Sequence, residues 1–309
     1  MLLKDLSTFH HVVMTGSIRK ASEKLGAAPS SISRKIFVLE RQFGTALFDR
    51  TSNGLVLTHA GRLVADYAKA AVLDFESLRA DLDDLRGVRR RLIHVAAVES
   101  FAVDQPVAAL ERFRRTYEGV SFKFTVLPAP QVPPFVSRGE CDIGLAFCSA
   151  PDPAIQVLER VSEPIIVAVP PGHALSARKT VALRELTEYA IALPESSFRV
   201  RELFDQACYA TDVEIVPTLT ANNFGSLRGF VTSGAGIAVL PRGAVSHEEG
   251  HGELVTVPLD VQSLSDTTID IIVRKRRLPR VVRLFAEELH RTLSARTADQ
   301  EARQSLRAS

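Results

Sequence analysis

The sequence predicts an α/β multi-domain chain: short helices and a hairpin first, one long helix next, then strands alternating with helices. Three observations carry this. Apolar residues recur at helical spacing through the first 45 positions, with glycine stops between the runs. From His59 to Arg86 there is no proline and, after Gly61, no glycine. Beyond Leu92 short apolar runs alternate with amphipathic stretches, the pattern of strands and covering helices. At 309 residues, 46% hydrophobic and 24% charged, the chain can bury a sizeable core and exceeds one typical domain.

Leu6, Phe9, Val12 and Val13 give a first helix that Gly16 stops. Ser17 is placed to cap a second, from about Ile18 to Leu25, because its hydroxyl can accept from an otherwise unpartnered N–H of the first turn. Pro29 suits the first turn of a third helix, where its missing N–H has no partner to lose, and Gly44 closes that helix. Within it Ile32, Ile36 and Leu39 form an apolar stripe, while Ser30, Ser31, Ser33, Arg34 and Lys35 lie off it. "ALFDRTSNGLVLTHAG" puts two apolar runs around Asn53-Gly54, a dipeptide suited to positive φ in a tight hairpin, so the segment is a candidate wing.

In the long stretch Val64, Ala68, Ala71, Phe75, Leu78, Leu82 and Leu85 alternate four and three apart. This is a heptad seam, and about 28 residues make a helix of roughly 40 Å. A stripe that long needs a partner helix, so a homodimer is expected. Gly87 and "RRR" at 89–91 mark a linker.

Strands are expected at "LIHVAAV", "VSFKFTVL", "CDIGLAF", "IIVAVP", "YAIAL", "EIVPTLT", "GIAVLP" and "TTIDIIVRKRR", with helices between, implying a mostly parallel sheet. Pro279 opens a last helix with Leu278, Val282, Phe285 and Leu289 on one side; the tail from 297 to 309 lacks periodicity and is expected to fray.

The net charge of +2 conceals an asymmetry: residues 1–58 hold eight lysines and arginines against four acids, which favours a polyanionic partner. The opening "MLLKDLSTFHHVVMTGS" interrupts its apolar pattern with charge and lacks a small-residue cleavage site, and no run of about 18 apolar residues occurs. A cytoplasmic protein with no membrane partner is expected. Cys141, Cys148 and Cys208 are too scattered for a disulfide framework or a zinc site, and no metal or other cofactor is expected. Gly234 and Gly236 in "GAGIAVLP" precede a strand, so they read as a turn and not as a dinucleotide loop.

The ordered segments "FHHVVMTGSIRKASEKL", "SSISRKIFVLE", "FGTALFDR" and "LVLTHAG" resemble the first helix, helix-turn-helix and wing of LysR-type transcriptional regulators. A looser likeness follows in "RGECDIGLAF", "VPPGHAL" and "SGAGIAVLP". The resemblance implies a winged helix-turn-helix over residues 1–58, a dimerising linker helix over 59–87 and a periplasmic-binding-protein-like effector domain over 88–309. That domain divides into subdomain I, about 88–161 and 268–296, and subdomain II, about 162–267. Double-stranded DNA, a small-molecule effector and the chain itself, as dimer and tetramer, are the implied partners, with no catalysis. Where the family usually has Ser at 28, a polar residue at 29 and often Pro at 30, this chain reads "AAPS", which takes away a side-chain cap and moves the proline back one place. A transport-type solute-binding protein would explain the second half alone, and a redox-sensing regulator is the other alternative.

A recognition helix presents short polar and long cationic groups to base edges and phosphates while packing its other side on its own domain. Ser30, Ser31, Ser33, Arg34 and Lys35 have that distribution, and Arg50 and Thr51 follow the first wing strand, where they can meet phosphate. An ordinary solvated helix face has the same charge pattern; the ordered match through wing and long helix decides between them. In the effector domain, clefts lie at the carboxyl ends of strands beside helix N-termini. Ser100 and Phe101 follow the first strand there, Gln131 the second and Phe147 ends the third; Ser196, Ser197, Phe198 and Asn222 face them from the second cycle. Small carboxylates suit such a site, Arg199 or Arg201 could supply counter-charge, and Glu99 opposes an anion.

Overall fold

The computed structural model describes residues 2–51, 54–85, 91–101, 105–147, 151–276 and 278–307. They form two compact units, residues 1–87 and 88–309.

In the first unit α1 (Leu2–Thr15), α2 (Ile18–Leu25) and α3 (Pro29–Phe43) close around Leu6, Phe9, Val12, Ala21, Ile32, Ile36, Leu39 and Leu47. Ser17 caps α2 by accepting from the Lys20 N–H, as its position implies. Ala28 gives α3 no side-chain cap, and Pro29 opens its first turn. Gly44 ends α3 at φ 66°, a left-handed conformation that suits glycine. The hairpin β1 (Phe48–Thr51) and β2 (Gly54–Leu57) is antiparallel, pairing Thr51 with Gly54; Ser52 and Asn53 at its turn lie outside the described residues. Glu40 fixes the hairpin to α3 by accepting from the Leu47 and Phe48 N–H groups at 2.8 and 3.3 Å.

The long helix α4 (His59–Leu85) starts with the Thr58 hydroxyl accepting from the Gly61 N–H at 2.8 Å. Any Cβ at Gly61 would collide with the Leu47 carbonyl, so glycine is what lets α4 pack against the hairpin. The expected seam divides in use. Val64 and Ala68 pack into the first unit's own core, whereas Phe75, Leu78 and Leu82 remain 50%, 42% and 47% exposed. Leu85's side chain, and Gly87 and Arg89 and Arg90 of the linker, lie outside the described residues.

The second unit contains two five-stranded sheets. In chain order its elements are β3 (Arg91–Ala97), α5 (Gln105–Thr116), β4 (Val120–Val126), α6 (Val132–Ser137), β5 (Ile143–Phe147), β6 (Ile155–Ser162), β7 (Ile165–Val169), β8 (Ile191–Pro194), α7 (Arg199–Ala210), β9 (Leu219–Ala221), α8 (Phe224–Thr232), β10 (Ile237–Pro241), α9 (Ser246–His251), β11 (Val255–Pro258), α10 (Gln262–Ser265), β12 (Thr268–Arg274) and α11 (Arg280–Arg307). One sheet has the order β4-β3-β5-β12-β6, the other β11-β7-β10-β8-β9. The chain passes from the first to the second between β6 and β7 and returns between β11 and β12. At this crossing the Glu163 side chain is fully buried and accepts from the Gly243 N–H, and Thr267 donates to the Glu163 carbonyl at 2.6 Å.

The sheets are mixed, where a mostly parallel one was expected. β3 pairs parallel with β4 and β5, and β8 with β9 and β10, but β12 runs against β5 and β6, and β7 against β10 and β11. β6 is not apparent from the sequence because it is an edge strand whose Glu159 and Arg160 face water, diluting its apolar pattern. Of "EIVPTLT" only Leu219 and Thr220 are strand, which runs on to Ala221, since Pro217 cannot donate to a ladder and pairing starts with the Thr218 N–H on the Ile191 carbonyl. The last helix extends to Arg307, past position 297 where fraying was expected; its Ala, Glu, Gln, Arg and Leu are strong helix formers. Phe285 of that helix sits 5.2 Å from the Phe113 ring and 4.5 Å from Phe122, seating α11 on the first sheet.

Candidate functional site

On α3 the buried stripe of Ile32, Ile36 and Leu39 leaves Ser30, Ser31 and Arg34 exposed on the opposite side, with Ser33 half-buried between. Lys35 departs from this face: it is half-buried, and its Nζ lies 3.3 Å from the Thr8 hydroxyl of α1. This hydrogen bond ties α3 to α1 through their side chains. Arg50 and Thr51 belong to β1 by their backbone, and their side chains are outside the described set. Arg41 is exposed one turn from the end of α3, and Phe37 is exposed between Arg34 and Arg41. Sequence reasoning misses Phe37, whose signal is an aromatic residue outside the stripe of Ile32, Ile36 and Leu39.

In the second unit a cavity of about 350 Å³ opens between the two sheets. Ser100 follows β3, Pro128 and Ala129 follow β4, and Phe147 ends β5; on the other wall Ser197 and Phe198 follow β8, and Asn222 follows β9. Every one sits at the carboxyl end of a strand, where the side chains stop packing the sheet and the loops become free to face a ligand. Three predicted residues are not on the lining. Phe101 is buried in the hydrophobic core, because the 3-10 turn Glu99–Phe101 rotates it inward while leaving Ser100 on the cavity. Gln131 is exposed in the turn before α6, and Ser196 is exposed beside the rim.

The walls are largely apolar, with Val98, Leu127, Phe147, Phe198 and Phe224 among them, and Phe198 meets Phe224 edge-on at 5.2 Å. Their polar groups are unevenly charged. Glu99 reaches across the cavity, and its Oε1 accepts from the Phe224 N–H at 3.0 Å, so a carboxylate of the first sheet already occupies the N-terminus of α8. The Asn223 side chain takes a second of that helix's free donors, the Ser226 N–H at 2.8 Å. Glu195 adds another carboxylate. Of the two arginines considered as counter-charge, Arg199 lines the cavity but pairs with Glu202 at 2.7 Å, and Arg201 pairs with Asp205 at 2.8 Å while donating to the Pro194 carbonyl at 3.1 Å. Nothing in the sequence links Glu99 to Phe224, which are 125 positions apart.

Thiol chemistry is disfavoured at both described cysteines. Burial, reinforced by Asp142, pushes the Cys141 thiol up to about 12, and burial with Asp205 pushes Cys208 up to about 11. Each stays protonated and weakly nucleophilic at neutral pH. Cys148 lies outside the described residues. Gly236 is required by packing, since a Cβ there would strike the Ala190 carbonyl, and Gly234 adopts a left-handed φ of 77° at the turn before β10. Among the described residues no group of His, Cys, Asp and Glu could hold a metal ion, and no helix is long and apolar enough to cross a membrane.

Residues 3–62 match the family described as bacterial regulatory helix-turn-helix protein, lysR family, and residues 86–294 match the LysR substrate binding domain. The chain belongs to the LysR family. It is a LysR-type transcriptional regulator, with an N-terminal DNA-binding part and an effector-binding domain. The RuBisCO operon transcriptional regulator of Allochromatium vinosum is 23% identical over 274 residues, 89% of this LysR chain and 90% of that one. Full-length OxyR from Pseudomonas aeruginosa shares the fold with a TM-score of 0.67 at 18% identity, covering 94% of each chain. Full-length CbnR, solved in complex with its target DNA, gives a TM-score of 0.53 at 18% identity over 95% of this chain and 100% of that chain.

Proposed function

We propose that this LysR-type regulator reads its operator with the exposed side of α3 and is controlled by a small uncharged polar molecule in the cavity between the two sheets. Ser30, Ser31, Ser33 and Arg34 meet base edges and phosphates, Arg50 and Thr51 meet phosphate from the wing, and Lys35 braces α3 against α1. Residues 1–58 form the DNA-binding domain, 59–87 the dimerising helix and 88–309 the effector domain, with subdomain I at 88–161 and 268–296 and subdomain II at 162–267. Dimers pair through the exposed half of α4 and associate into tetramers. The protein works in the cytoplasm and acts by binding alone, without turning over a substrate.

One observation carries the effector reading: Ser100 and Phe147 of the first sheet and Ser197, Phe198 and Asn222 of the second line a single cavity. The two hydroxyls and the amide suit hydroxyl or carbonyl groups, and the aromatic and aliphatic walls suit an apolar frame. An anion is disfavoured because Glu99 holds the α8 N–H that would otherwise greet it, and Glu195 stands nearby. Phe101, Gln131 and Ser196 have no part in this site. A ligand touching both walls binds one arrangement of the subdomains better than others, and only such a preference shifts an equilibrium.

Thermal-shift screening of a panel of uncharged hydroxylated and carbonyl metabolites against the full chain is expected to find a stabilising compound. Ser100→Ala should weaken its affinity by about three- to tenfold, the value of one neutral hydrogen bond, while binding to DNA without ligand is unchanged. Equal stabilisation of Ser100→Ala places the ligand elsewhere, and loss of DNA binding by that variant gives Ser100 a purely structural role.

A further inference from the structure

We propose that Phe37 contacts the C5-methyl group of a thymine in the major groove and thereby fixes one position of the operator. This rests on the assignment of the exposed side of α3 as the DNA-reading face.

At about 100° of rotation per residue, Ser30, Arg34, Phe37 and Arg41 fall on one narrow stripe of α3, and Ile32, Ile36 and Leu39 fall opposite. Phe37 is 59% exposed at the middle of that stripe. It makes no ring contact among the described residues, so its aromatic surface contributes little to the core of its own unit. Arg34 stands one turn before it and Arg41 one turn after, both exposed. The occupant of such a site has to be anionic on both flanks and apolar at the centre.

A duplex offers that arrangement. Phosphates flank the major groove, and among the groups on its base edges only the thymine C5-methyl is apolar. A ring held between two arginines is therefore placed to meet the one apolar feature of an otherwise polar groove, and to discriminate thymine from cytosine, which lacks that methyl. An apolar protein surface would instead have to bury two guanidinium groups beside the ring.

The test removes the methyl and nothing else. Full-length protein is used to select duplexes from a random library, and each thymine of the recovered motif is replaced singly by deoxyuridine. One replacement in each half-site is expected to weaken wild-type binding by about fourfold, the effect of one buried methyl-sized group, and to leave Phe37→Ala unaffected. Phe37→Ala should also accept cytosine there. The proposal is overturned if every replacement acts equally on both proteins, if the half-sites contain no thymine, or if Phe37→Ala changes the oligomer mass, which would make the ring a protein contact. Arg34→Ala on the same duplexes separates the two levels. Weakened binding with no Phe37 coupling removes only Phe37, and unchanged binding removes the α3 face with it.

Discussion

Raising salt from about 50 to about 200 mM will weaken binding to a selected duplex by about 1,000-fold, the loss expected for about six phosphate contacts shared between two protomers. Lys4, Arg19, Lys20, Lys24, Arg34 and Arg41 are all exposed on the first unit, so three phosphates per protomer draw on half of them. Each neutralised phosphate releases condensed counterions and adds about 0.9 to the slope of log affinity against log salt. Fluorescence anisotropy across that range measures the slope directly. A flat affinity would mean that the cationic side chains of this unit do not face the DNA backbone.

Leu78→Asp will dissociate the oligomer and weaken DNA binding by about 100-fold or more. Phe75, Leu78 and Leu82 share one stripe of α4 and are each about half exposed, whereas Val64 and Ala68 of the same stripe are already used within the first unit. Covering the free half with a second α4 buries all three. An aspartate at the centre of that contact would then be an unpaired buried carboxylate, costing several kcal/mol. A lone protomer keeps only half of the phosphate contacts, which is why DNA binding falls with the oligomer. The substitution is on a surface of the single chain, so its helical circular dichroism should be retained. Arg79→Ala, next in sequence but off the stripe, should leave the mass by light scattering unchanged. An unchanged mass for Leu78→Asp would put the oligomer contact on another surface.

The reach of the sequence differs between the two units for a physical reason. In the first, the signals are local: Ser17 caps its own helix, Pro29 and Gly44 bound α3, and Ile32, Ile36 and Leu39 recur at helical spacing, so the exposed side of α3 is legible in the sequence alone. The contact of Lys35 with Thr8 is not legible in the same way, because Thr8 lies 27 positions away on α1. In the second unit the cavity is lined from the carboxyl ends of strands, which the apolar runs of the sequence mark. Which side chain enters it depends on turns that strand periodicity does not describe, hence Ser100 on the lining and Phe101 in the core. The bridge from Glu99 to the Phe224 N–H is illegible, because it exists only once two sheets face each other. Mixed pairing is hidden for the same reason: the direction of β12 is set by a return from the second sheet, not by its own residues.

The exposed side of α3 is tested most directly by measuring the affinity of Arg34→Ala for the selected duplex and for single base changes in it, across salt. Arg34 is exposed and outside the core, so the variant should fold with its thermal midpoint nearly unchanged. If Arg34 reads a base, binding falls by about five- to 150-fold and discrimination relaxes at one position of each half-site; if it holds a phosphate, binding falls uniformly and the salt slope drops by about one contact per protomer. Either outcome is the expected result. Unchanged affinity, unchanged base preference and an unchanged salt slope together would contradict the assignment of α3 as the reading helix.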